Sequence, residues 1–386
     1  MKKLTDQVVF RHGASVNNRL VQPPMLTNSG INGAVSDDTL AYWQARSHSA
    51  GLMITEYHFV SENGGPALTW ADNRTQLAVY DDKFLPGLTK LAKTMKAGGN
   101  KAILQIAHTG REANYRAHLG LPVYGPDSAN YSFLPYGVQA FSNEQVEQIV
   151  KDFGAAAKRA IQAGFDGIEI HGANHYLIQQ FFSRFSNHRT DQWGKADAFP
   201  LAVTAEVMRV VKKYAPANFI VGYRISPEEI NPGEIGYTWH ESTKLVQELN
   251  EKFDLDYIHL SMGSYKEKPK DSDKTFAELF RPFLAPQTKL IIVGGVMSGA
   301  AARDALQYTD LVAAGRAQLL DANFAAKVVA GKDNEVISKL SEQTEIAQKL
   351  TPGLREIFDL QRKRPDWGKK VKQLDYSKAV KIQTNK

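Results

Sequence analysis

Short apolar runs alternate with longer stretches of helical periodicity along most of this chain. Eight runs read as strands, at residues 19–25, 52–60, 101–107, 166–170, 219–225, 257–260, 290–293 and 310–314. Between them, apolar positions recur at helical spacing over 37–50, 82–97, 142–163, 200–214, 238–251, 276–284 and 299–306, and a stretch at 317–330 closes the series. The third helical stretch shows the logic. Ser142 and Gln145 have the spacing of a capping box, and Val146, Ile149, Val150 and Phe153 then share one face. Strands that each lead into a helix call for parallel neighbours, and eight such units predict an α/β fold, a closed (β/α)8 TIM barrel. An open doubly wound sheet uses the same units, but the count of eight favours closure.

Two stretches stand outside the repeat. Residues 111–141, rich in Pro, Gly and Tyr, form an insertion after the third strand, long enough to cover a site or to carry small elements of its own. Residues 336–386 follow the last barrel helix and predict a helical extension ending in a basic tail. The expected organisation is one barrel domain over 1–335, with 111–141 as a lid and the extension appended.

Composition narrows the functions. A chain of 386 residues, 43% hydrophobic, can bury a large core. It contains no cysteine, which excludes disulfides, thiolate zinc sites, iron–sulfur clusters and cysteine nucleophiles. The first residues, Met1-Lys-Lys-Leu-Thr-Asp6, lack the apolar core of a signal peptide, and no apolar run is long enough to span a bilayer. A soluble cytoplasmic protein is expected. The formal net charge is +6, but residues 361–386 hold nine Lys or Arg against two Asp, a net of +7, which leaves −1 for the rest. Basicity confined to a tail predicts a solvated or edge-packed segment rather than a nucleic-acid surface.

Candidate chemistry collects at the strand ends, where barrels bind their ligands. The fourth strand, interrupted by Asp166 and Glu169, runs into His171, Asn174 and Tyr176, three hydrogen-bonding side chains within six positions. The competing view makes His171 a satisfied core histidine. Gln105, His108 and Arg111 follow the third strand, Arg224 and Ser226 end the fifth, and Ser261, Gly263 and Ser264 follow the sixth. Strands seven and eight end in Gly294 and Gly295 and in Gly315 and Arg316. Glycines let a backbone approach a phosphate, an arginine adds charge, and loops seven and eight of a barrel commonly build such a site; tight turns alone would also use them. With a phosphate at one side and Gln105 and Arg224 in the mouth, FMN is the ligand that suits. A glutamine amide both donates and accepts, matching a pyrimidine edge, and a guanidinium stabilises the negative charge of reduced flavin. An ion pair between Arg224 and Glu169 is the structural alternative.

In order and spacing these residues resemble the old yellow enzyme family of FMN-dependent ene-reductases, in its bacterial NADH:flavin oxidoreductase branch. The matching stretches are Asn18-Arg-Leu-Val-Gln-Pro-Pro-Met25, Gln105-Ile-Ala-His-Thr-Gly-Arg111, Ala163-Gly-Phe-Asp-Gly-Ile-Glu-Ile-His-Gly-Ala-Asn174, Phe185-Ser-Asn-His-Arg-Thr-Asp-Gln-Trp-Gly194, Arg224-Ile-Ser226, Val293-Gly-Gly295 and Ala314-Gly-Arg316. The resemblance implies that Pro23, Pro24, Met25 and Leu26 pass under the flavin with Tyr57 beside it. It implies that Gln105 and Arg224 hold the pyrimidine and that Gly294, Gly295, Gly315 and Arg316 hold the phosphate. His171 and Asn174 would hydrogen-bond a substrate's carbonyl oxygen, and Tyr176 would deliver a proton. The implied activity is ping-pong reduction of activated C=C bonds in α,β-unsaturated carbonyl or nitro compounds. NADH or NADPH would reduce tightly bound FMN, and the flavin N5 would pass hydride on to the substrate, with quinones as further acceptors. A homo-oligomer is also consistent with the resemblance, with Arg362, Arg364 and Trp367 as candidates to reach a neighbouring subunit.

Three positions depart from the family pattern. Leu26 stands where many relatives have a threonine or cysteine, Tyr57 where a small residue is usual, and Asn28 where one branch has an aromatic. They keep open a flavin-binding barrel with little or no turnover. A metal-dependent hydrolase or lyase, with His171 and His175 four apart on one ion, is the remaining alternative.

Overall fold

Branched apolar runs bounded by glycine and proline give the centre of the molecule its strands. In a computed structural model that describes residues 2–67, 74–231 and 233–362, they are β1 (Leu20–Gln22), β2 (Leu52–Phe59), β3 (Lys101–Ala107), β4 (Gly167–Gly172), β5 (Ile220–Ile225), β6 (Tyr257–Leu260), β7 (Lys289–Val293) and β8 (Leu311–Ala313). All pair in parallel with their neighbours, and β8 pairs with β1 through Val312 and Leu20, so the sheet closes into a barrel. The open sheet is thereby excluded.

The outer ring comprises α1 (Asp37–Gln44), α2 (Leu85–Met95), α3 (Asn143–Gln162), α4 (Ala198–Tyr214), α5 (Trp239–Lys252), α6 (Phe276–Phe280), α7 (Gly299–Ala305) and α8 (Gly315–Leu320). The capping box of α3 forms as its sequence predicts: the Gln145 amide donates to Ser142 Oγ at 3.2 Å, and the Ser142 amide to Gln145 Oε1 at 2.8 Å. The stretch expected at 317–330 is two helices, α8 and Phe324–Val329. Asp321 breaks it, because its carboxylate accepts the amides of Asn323 and Ile337 and the Lys327 ammonium, and such local bonds compete with the helix ladder. The first strand is also shorter than expected, since Pro23 and Pro24 have no N–H for the ladder.

The insertion at 111–141 carries a short helix, Asn114–His118, and a three-stranded sheet of Val123–Gly125, Ala129–Asn130 and Gly137–Ala140. Beyond the barrel lie helices Glu342–Ala347 and Pro352–Arg362. Arg364, Trp367 and the side chain of Arg362 fall outside the described residues. Among the described residues no helix is long and apolar enough to cross a membrane.

The barrel interior is layered. At its amino-terminal end a hairpin, Val8–Val9 paired with Ser15–Val16, sets Val8, Phe10, Ala14 and Val16 against Leu52, Ile54, Ile103, Ile220, Ile291 and Leu311, sealing that end with apolar side chains. Above them the Tyr257 ring fills the centre. It fits because its register partner is Gly222, where a Cβ would lie 2.0 Å from the ring. From there upward the inward positions turn polar.

Candidate active site

Strand pairing brings the polar layer together. Gln105 of β3 lies opposite Glu169 of β4, and His171 of β4 opposite Arg224 of β5, which in turn lies opposite His259 of β6. Alternation along each strand aims these positions into the barrel, above the apolar layer. Glu169, fully buried, accepts Gln105 Nε2 at 2.7 Å and meets His259 Nδ1 at 2.9 Å. Burial alone would push the Glu169 carboxyl up, but His259, Arg224 and the Gln105 amide outweigh it and hold it below its ordinary value. An ionised carboxylate only accepts, so Gln105 turns its nitrogen to Glu169 and its carbonyl elsewhere. The expected alternative for Arg224 is not what forms. Its guanidinium donates to Ser261 Oγ at 3.0 Å rather than to Glu169, and its Nε, though buried, has no hydrogen-bond partner.

His171 is buried too, and it is not a satisfied core histidine: Nδ1 has no partner. Burial, then the Arg224 guanidinium and the His259 ring, hold it well below the usual histidine range, so the ring is a neutral imidazole with one N–H to give. The chain then turns sharply, with Asn174 and His175 both left-handed at φ 60° and 62°. That turn is fixed by the Asn174 amide donating to Ser226 Oγ at 3.1 Å, while Ser261 Oγ donates to Asn174 Oδ1 at 3.3 Å and leaves the exposed Asn174 its Nδ2 hydrogens. Tyr176 starts the helix Leu177–Phe182, its ring edge-on to His171 at 5.2 Å and to Tyr57 at 5.1 Å. The turn removes the helical spacing that would place His171 and His175 on one ion. His175 instead faces Glu229, at 3.7 Å.

Tyr57 reaches this layer through a bulge. Ile54 pairs with Ile103 but Tyr57 with Gln105, so β2 gains one residue on β3 and both Ile54 and Tyr57 face inward. The Tyr57 hydroxyl donates to Gln76 Oε1 at 2.8 Å and accepts the Ala67 amide at 3.0 Å. Pro24, Met25 and Leu26 lie half-buried after β1, with Pro23 beneath them. A Cβ on Gly315 would sit 2.9 Å from Met25 Sδ, so the loops after β1 and β8 touch. Gly294 has φ 120° and no room for a side chain against the Ser264 amide, Gly295 has φ 71°, and Arg316 is exposed beside Gly315. The structure thus puts every predicted site residue at the carboxyl-terminal mouth of the barrel.

Glu56, next to Tyr57, was not anticipated. It is fully buried, accepts the Thr27 amide at 3.2 Å and bonds the Thr27 hydroxyl. Burial, against the pull of those two bonds, pushes its carboxyl up to about 8. The folded protein therefore keeps a proton that the unfolded chain releases above about pH 4.5. The contribution of Glu56 to stability is full below that pH and is lost as pH rises toward 8, by up to about 1.4 kcal/mol per unit. Glu56→Gln is expected to flatten the loss between pH 5 and 8, read from urea midpoints. Parallel losses in both proteins would dismiss Glu56 as the cause.

A sequence model of the NADH:flavin oxidoreductase / NADH oxidase family matches residues 11–335. The chain belongs to that family. It is an NAD(P)H-dependent flavin oxidoreductase. Its curated relatives include the probable NADH-dependent flavin oxidoreductase YqiG of Bacillus subtilis, 39% identical over 87% of this chain and 90% of that one. The NADH:acrylate oxidoreductase of Vibrio harveyi is 38% identical over 93% of this chain, which spans 36% of that larger protein. Among solved structures, morphinone reductase in complex with tetrahydroNAD shares the fold, with a TM-score of 0.73 and 24% identity over 91% of this chain and 98% of that one. In this NADH:flavin oxidoreductase the residues that sequence reasoning passed over are Glu56, Glu169 as an organiser, His259 and Gln76. For Glu169 and His259 a signal was present: each lies two residues from, or in register with, an already suspected inward position.

Proposed function

We propose that the chain holds FMN in the barrel mouth, takes electrons from NADH or NADPH, and reduces carbon–carbon double bonds activated by a carbonyl or nitro group. The observation that carries this reading is a pair of buried, partnerless nitrogens, His171 Nδ1 and Arg224 Nε, at paired positions of adjacent strands. Buried polar atoms of that kind fit a polar ligand against them. The donor set matches a flavin. Gln105 presents a carbonyl to an imide N–H, and Arg224 brings positive charge toward the pyrimidine edge. Pro23, Pro24, Met25 and Leu26 would form the floor with Tyr57 at one side, and the crowded backbone at Gly294, Gly295 and Gly315 would cradle the phosphate beside Arg316. FMN, when bound, supplies a carrier that accepts hydride from a nicotinamide and gives it to a carbon acceptor.

The chain's own side chains do the rest. As hydride reaches the β-carbon of an enone, negative charge gathers on the substrate oxygen. His171, neutral and able to donate one hydrogen bond, and Asn174, donating through Nδ2, stabilise that charge more than they stabilise the ground state. Tyr176 gives its phenolic proton to the α-carbon. Enones, nitroalkenes and quinones are the expected acceptor classes.

Anaerobic mixing with NADH or NADPH tests the reading. Purified holoprotein should be yellow, bleach on mixing, and regain its colour when an enone is added. Flavin that never bleaches would mean a carrier instead, the case that Leu26 and Tyr57 keep open, and protein that takes up no FMN would end the proposal.

A further inference from the structure

The segment after β1 is held from two sides, and one of them is the far end of the chain. Thr27, Asn28 and Ser29, which follow the half-buried Leu26, are all buried. On the barrel side, Glu56 takes the Thr27 amide, the Thr27 hydroxyl bonds Ser29 Oγ at 2.7 Å, and Ser29 bonds Thr39 at 2.7 Å. Gln76 bridges the Tyr57 hydroxyl to Asn28 Oδ1.

On the outer side, the C-terminal extension does the holding. Buried Arg46 donates to the Gln348 carbonyl at 3.0 Å as well as to Tyr42 and Gln318, and the Ala322 amide donates to Gln348 Oε1 at 2.6 Å. Lys349, left-handed at φ 53°, then turns the chain inward. The Thr351 hydroxyl donates to the Thr27 carbonyl, and Gly353 lies so close to Asn28 that a Cβ there would meet the Asn28 Cβ and carbonyl oxygen at 2.6 Å. Thr27 thus has its N–H fixed by Glu56 and its C=O fixed by Thr351, one residue past the proposed flavin floor.

We infer that residues 348–354 are a strut that sets the position of the floor Pro23–Leu26, with Thr351 and Gly353 as its positioning residues. This deepens the FMN reading and rests on it. The strut lies C-terminal to the stretch that the family model matches. Fixing both peptide groups of Thr27 restricts the backbone on which Leu26 and Met25 stand. Without that restraint the ordering would fall on the ligand as an entropic cost of binding.

The test uses the full chain with Thr351→Val, Thr351→Ser and Gly353→Ala. FMN affinity is read by quenching of FMN fluorescence on adding apoprotein, and backbone protection of 22–30 by hydrogen exchange in the apoprotein. Thr351→Val and Gly353→Ala should weaken FMN binding by about tenfold, the scale of one lost hydrogen bond, and speed exchange in 22–30 while 101–107 keeps its protection. Thr351→Ser, which keeps the hydroxyl, should behave as wild type. Unchanged exchange in 22–30 in both disruptive variants overturns the strut. Faster exchange with undiminished FMN affinity overturns its link to the ligand, as does a general loss of protection that includes 101–107. Wild-type protein that binds no FMN would instead remove the functional reading, and the exchange comparison would still decide whether the strut holds.

Discussion

A Tyr176→Phe variant should accept electrons from NADH at the native rate and pass them to an enone at least about a hundredfold more slowly, the usual scale for a lost general acid. The substitution leaves the ring's own contacts in place. The ring packs against His171 and Tyr57, contacts that phenylalanine keeps. What the variant loses is the phenolic hydroxyl, and with it the proposed proton donor. Quinones, whose reduced oxygens take protons from water, should lose far less than enones. Stopped-flow measurement of the two half-reactions separates these cases. Equal slowing of both would mean that Tyr176 shapes the site instead of protonating the substrate.

Glu169→Ala is expected to cost about 3–5 kcal/mol of stability, because it strips a buried charged network of its acceptor. Gln105 and His259 each lose a partner, and Arg224 keeps its charge in the interior without the carboxylate that offsets burial. Glu169→Gln, which keeps the shape and one acceptor, should lose less. Urea unfolding of both variants measures the difference. A Glu169→Ala protein within about 1 kcal/mol of wild type would show that the network is dispensable to the fold.

The strands could be read from the sequence because parallel strands buried on both faces are continuous apolar runs, and runs such as 101–107 and 220–225 have few other uses. Closure followed from their number. The start of α3 was readable because a capping box is local, with donor and acceptor three residues apart. The bulge in β2 was not, since an extra residue leaves the pattern of apolar positions in Leu52–Phe59 unchanged and alters only which of them face inward. Asp321 broke a predicted helix through bonds to Asn323 and to Ile337, the second beyond any local window. At the mouth, His171, Arg224 and Gln105 stood out by type and position. Glu169 entered only as an alternative ion-pair partner for Arg224; its actual partners come from register across three strands. The hold of Thr351 on Thr27 joins residues 324 apart, which no spacing rule anticipates.

The hairpin under the barrel has one more effect. Because Phe10 and its neighbours stopper the lower opening, the amino-terminal end of the barrel gives no passage to the polar layer above Tyr257 among the described residues. On the proposed function, a nicotinamide and an organic acceptor would both have to approach that layer from the carboxyl-terminal side.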